Sequence, residues 1–138
     1  MFLPCNRMTF TQTDSSKMII SNQFDHVELE KSKPHIIVEI LEYVPNSILI
    51  KTIIKKTTGN IMVTAVAAGE ELAEKTSPFD TFVQIIDGAA QVEISDKRYK
   101  LGLGEGITIP ANSRHCFSAT EQFKMISTII KSGYEHGL

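Results

Sequence analysis

The chain has 138 residues, 42% of them apolar and none of them Trp, which suits one domain with a single core and leaves little for a second. A formal net charge of -2 supplies no general attraction to phosphate backbones or anionic membranes, so neither nucleic acid nor a membrane is expected as a partner. No apolar run approaches the roughly 20 residues that span a bilayer, and the first residues lack the basic flank and long apolar stretch of a signal peptide, so the expected compartment is the cytoplasm.

Residues 1–30 are expected to form a flexible N-terminal tail. Positions 1–16 are rich in Thr, Ser, Gln and Asn and show no period, and Met8 and Met18 compete with Met1 as the true start. Residues 31–138 are expected to form one domain. After Lys33 and Pro34, Ile36, Ile37, Ile40, Leu41 and Val44 recur at helical spacing until Pro45 and Asn46 stop the pattern, which predicts a short amphipathic helix lying on the main body. Beyond Asn46 the period changes to two. Ile48, Ile50 and Ile54 begin a β segment, positions 57–60 read as a turn, and 61–67 returns as a strand. Further strands are predicted over 82–86, 90–95, 98–101, 106–109, 115–119 and 123–130. Short turns such as Asp87-Gly88 and Ser95-Asp96-Lys97 separate them. Many short strands with one helix predict an all-β sandwich or closed barrel. The glycines at 102, 104 and 106 lie between strands and read as turns rather than as a phosphate loop. Cys5 and Cys116 are too few and too far apart for a disulfide framework or a thiolate cluster, and read as small hydrophobes. His26, His35 and His136 need no functional role.

Two spacings carry more. Gly104, Pro110 and His115 form one frame, and Gly69 and Gly88 bound another. Together they resemble the two motifs of the cupin superfamily, whose small members fold as a double-stranded β-helix, or jelly roll. Ser77-Pro78-Phe79-Asp80, Pro110-Ala111-Asn112 and Phe123-Lys124-Met125 are similar to short bacterial single-domain conserved-barrel (cupin 2-like) proteins. The resemblance implies an inward-facing metal site whose four ligand positions fall here on Lys75, Ser77, Thr81 and His115. Only His115 keeps the ligand type of the family. Lys carries a positive charge at neutral pH, hydroxyls are weak ligands beside imidazole and carboxylate, and one imidazole is short of the three or four protein ligands a tight site uses. No cofactor is therefore expected, and at most a weakly bound divalent metal at His115.

Strand alternation puts Thr81 with Val83 and His115 with Phe117 on inward faces, and the resemblance adds Lys75 and Ser77 to the pocket they would line. His115 is the candidate catalytic residue as a general acid or base; its plain alternative is a polar pocket residue bonded to water or Tyr. Lys75 reads either as a cation that draws an anion to the barrel mouth or as a solvated ammonium beside Glu71 and Glu74. Asp80 is one residue from a ligand position, and alternation turns it outward. The leading functional reading is a barrel that binds a small organic ligand around a degenerate metal site. A second is an enzyme, either a metal-free isomerase or lyase using His115 or a dioxygenase-like protein with unusual ligands. A third is a dimeric structural or regulatory module. A homodimer is expected in either case, with 48–54, Ile126, Ile129 and Ile130 as apolar surface.

Overall fold

The computed structural model describes residues 22–134. Cys5, His136, the three candidate starts and positions 1–21 of the expected tail lie outside them. The strands are β1 (Asn22–Asp25), β2 (Ile48–Lys56), β3 (Gly59–Val66), β4 (Glu71–Thr76), β5 (Asp80–Gly88), β6 (Ala90–Ile94), β7 (Lys97–Leu101), β8 (Gly106–Ile109), β9 (Arg114–Ser118) and β10 (Phe123–Ile130). They form a six-stranded sheet, β1-β2-β3-β10-β5-β8, and a four-stranded sheet, β4-β9-β6-β7. The chain passes between sheets so that β10 lies between β3 and β5, and β9 between β4 and β6. This is the winding of the double-stranded β-helix expected from the two motifs.

One apolar cluster joins the sheets. Val66, Ile85 and Phe123 from the larger sheet and Val92, Leu101 and Phe117 from the smaller one belong to it, and all are buried. Turn chemistry fixes the registers. Ser95 and Asp96 both have positive φ (47° and 73°), the conformation of a two-residue hairpin that matches strand twist, and they join β6 to β7. Gly88 ends β5 at φ +72°, where a Cβ would meet the carbonyl oxygen of Gln122 at 2.0 Å, so only glycine fits the closed end of the barrel.

Three sequence expectations change. The helix predicted after Lys33 is a single 3-10 turn, Ile37–Glu39. Glu39 N–H bonds Ile36 C=O, and Ile40 N–H bonds Ile37 C=O. The next carbonyl, that of Val38, accepts instead from Lys124 Nζ at 2.6 Å. Lys124 points out of the larger sheet yet is only 8% exposed, because Tyr43 covers it, its ammonium 4.8 Å from the ring centroid. The Tyr43 hydroxyl donates to Asp87, the cross-strand neighbour of Lys124, and burial followed by that carboxylate pushes its pKa above the ordinary phenol value. A tertiary contact thus takes the carbonyl that a second helical turn would use. Too few residues remain to support helix nucleation.

The second change lies in 22–30, within the expected tail. There β1 pairs in parallel with β2, and Leu29 N–H bonds Thr52 C=O. The third concerns the apolar surface expected for a dimer. Ile48 is buried in the core, and Ile50 and Ile129 line the barrel interior, which leaves Ile54, Ile126 and Ile130 on the outside beside Phe82. Among the described residues no helix is long and apolar enough to cross a membrane.

Candidate functional site

The interior holds a cavity of about 320 Å³. Its depth can be read along β10, whose odd-numbered side chains point inward. Phe123 lies opposite Val66 at the closed end, Met125 opposite Thr64 and Ile85, Ser127 opposite Met62 and Val83, and Ile129 opposite Thr81. Lys131 follows at the mouth, its Nζ 6.0 Å from the centroid of Phe79. On the facing sheet Phe117 sits over the floor, 6.4 Å from Phe123 between ring centroids, and His115 lies one step nearer the mouth, 6.5 Å from Phe117. His115 is the direct cross-strand partner of Lys75.

The structure therefore brings Lys75, Ser77, Thr81, Val83, His115 and Phe117 around one cavity. Two loops set their positions. Pro110 to Ser113 is a tight turn in which Ser113 N–H bonds Pro110 C=O, with Asn112 at φ 66°. That turn is latched to the loop before β5: Asn112 N–H bonds Ser77 C=O at 2.6 Å, and Ala111 N–H bonds Asp80 Oδ1 at 2.8 Å. Ser77 closes its own turn, its Oγ accepting from Phe79 N–H at 3.1 Å. Asp80 points outward and is held by this latch and by Tyr134, whose hydroxyl accepts its N–H. The two sequence motifs thus meet as one rim, which aims His115 and Ser77 inward together.

The electrostatics are one-sided. The six sequence-predicted lining residues include no carboxylate, and neither do Ser127, Ile129, Phe79 and Lys131, which complete the mouth. Periodicity stopped at Ile130 and therefore missed Lys131. Continuing the odd face of β10 one residue further would have found it. Burial holds His115 below the ordinary imidazole value of 6.5, with the Lys75 charge adding to it and the Ser113 carbonyl acting the other way. A carbonyl only accepts, so Nδ1, 3.1 Å from Ser113 O, carries the proton in the neutral ring and Nε2 is left as an acceptor.

The lowered pKa has a consequence for stability. Near neutral pH the ring is uncharged in both native and unfolded chains and contributes no pH dependence. Below about 6.5 the unfolded imidazole binds its proton first, so stability falls with pH until the native ring is also protonated. Denaturant titrations from pH 8 to 5 should show the native protein losing stability more steeply than His115→Gln, by at most about 1.4 kcal/mol per pH unit. Parallel curves for the two proteins would remove His115 as the source.

Lys75, Ser77, Thr81 and His115 stand at the positions that hold the metal in cupins. They share the cavity, but the donors are one imidazole, two hydroxyls and an ammonium, and Ser77 Oγ already serves its turn. Among the described residues no group of three His, Cys, Asp or Glu side chains converges as a metal site. The donor set does not fit a divalent transition metal.

No family model matches the chain. Protein SchB of Streptomyces halstedii is 33% identical over 75 residues, 54% of this chain and 54% of that protein, so the match spans about half the length of that curated relative. Among solved structures, the conserved SPY1581 protein of unknown function from Streptococcus pyogenes is 25% identical with a TM-score of 0.73, over 77% of this chain and 93% of that one. A cupin 2 conserved barrel domain protein from Leptotrichia buccalis is 28% identical with a TM-score of 0.66, over 68% of this chain and 46% of that one. With the barrel winding and the two motifs joined at one rim, these likenesses place the chain in the cupin superfamily, with a cupin 2 conserved barrel domain protein among its structural neighbours.

Proposed function

We propose that the barrel binds one small organic molecule between its sheets, without a resident metal. The observation that carries this reading is the cavity of about 320 Å³, within the range of small-molecule sites. Its deep walls are Phe117, Met125 and Val83, and its polar groups gather toward the mouth. A core that served packing alone would fill such a space, since protein interiors are close-packed. His115 supplies one proton acceptor, and no lining carboxylate stands beside it to complete an acid and base pair. That imbalance favours binding over catalysis, and the cupin frame by itself carries no single activity.

A thermal-shift screen with small aromatic and aliphatic compounds, neutral and charged, tests the reading. A compound that binds only the native protein stabilises it by about 2.7 kcal/mol at 100 times its Kd. The shift is expected to vanish in Ser127→Phe or Met62→Trp, each of which puts a larger ring into the cavity. Circular dichroism checks that both variants fold. A shift that persists in the filled variants places the binding elsewhere and overturns the reading.

A further inference from the structure

Resting on the reading that the cavity binds a small molecule, we infer that its ligand is an amphipathic carboxylate, its apolar body against Phe117 and its acid group at the mouth between Lys75 and Lys131. The cavity is polarised along its length. Phe117, Met125 and Val83 form an apolar inner part, while the charged side chains that line it, Lys75 and Lys131, are both cations.

Among the described residues neither lysine forms an ion pair, although acidic groups lie close in sequence. Glu74, adjacent to Lys75, is turned to the other face of β4 and pairs with Arg114 at 2.9 Å. Arg114 is bridged in turn to Asp96 at 3.0 Å. Asp80, nearest the rim, spends an oxygen on Ala111 N–H. Glu74 and Asp80 are thus committed away from the mouth, while Lys75 faces in far enough for its charge to act on the His115 ring.

Two like charges at a concave opening with low-dielectric walls concentrate an attractive field for an anion. The donors are the ammonium groups of Lys75 and Lys131, since a carboxylate only accepts and the neutral His115 ring offers Nε2 as an acceptor. A neutral ligand would leave the lysines without counter-charge. A cationic one would be repelled by both.

Calorimetric titration of phenylacetate, its neutral isostere phenylacetamide and the cation phenethylamine into the native protein tests this. Phenylacetate is expected to bind at least about 10-fold more tightly than the amide, with no measurable binding of the amine. Lys75→Gln and Lys131→Gln should each weaken phenylacetate by about fivefold and leave the amide within twofold, and added salt should weaken only the acid. Equal affinities for acid and amide, or tighter binding of the amine, would overturn the carboxylate assignment while the cavity reading stands. Failure of all three probes, together with no response to any compound in the wider screen, would overturn the cavity reading and the assignment with it.

Discussion

Replacing Phe123 by Ala is expected to lower the unfolding free energy by about 3–5 kcal/mol, one of the two largest effects of any substitution considered. Phe123 is fully buried and stands at the closed end of the barrel, where β10 meets Val66 of β3 on one side and Gly88 of β5 on the other. Its ring packs on Phe117, the deepest side chain of the facing sheet. The strands that flank it are held by their own hydrogen bonds, and Gly88 already lies against the Gln122 backbone, so the walls have little freedom to collapse into the space left. Both the lost transfer energy and the residual void then count against the folded state. Urea unfolding should show a lower midpoint with an unchanged slope. A loss below about 1 kcal/mol would mean that the floor is soft and that the cavity above it has no fixed depth.

The second large effect is a gain of metal binding. Lys75→His, Ser77→His and Thr81→Glu together place two imidazoles and a carboxylate at the positions that the cupin resemblance assigns to ligands, beside the native His115. Because Lys75 is the cross-strand partner of His115, and Ser77 and Thr81 line the same cavity, the four side chains should converge. The triple variant is expected to bind Ni²⁺ or Zn²⁺ on the order of 100-fold more tightly than the parent, and its melting temperature should rise on metal addition. Elemental analysis after dialysis and a calorimetric titration check both. Without metal the variant should be less stable than the parent, since Thr81 is buried and a carboxylate there lacks a partner. A variant that folds yet binds metal no better than the parent would show that the motif positions do not meet as the register states.

Strands with strict alternation were legible in the sequence: β8 and β10 have the predicted bounds, because Ile107, Ile109, Phe123, Met125 and Ser127 put one face in the core. The inward position of His115 followed from the resemblance of Gly104, Pro110 and His115 to the second cupin motif, and the turn before it has Asn112 at φ 66°. What escaped was structure held from outside the local sequence. Glu71–Thr76 is poor in strand formers and becomes β4 through pairing with β9, with a bulge between Leu72 and Lys75 that turns Lys75 to the cavity. Asn22–Asp25 becomes β1 because the edge of β2 was open. The helix after Lys33 gave way to the contacts of Lys124 and Tyr43 across 86 and 44 residues of sequence. Of the six pocket residues, Thr81, Val83, His115 and Phe117 followed from alternation on two strands and Lys75 and Ser77 from the cupin resemblance, whereas Phe79 sits in a loop where alternation gives no direction and Lys131 lies one residue past the predicted end of β10.

The balance between Phe117 at the floor and two lysines at the mouth is the feature from which the functional account follows. An electron-density map of the barrel interior, from crystals grown with phenylacetate, tests it most directly. A single organic molecule is expected, with its ring near Phe117 and its carboxylate within hydrogen-bonding distance of Lys75 or Lys131. A metal ion bound to His115, or a barrel interior closed by its own side chains, would contradict it.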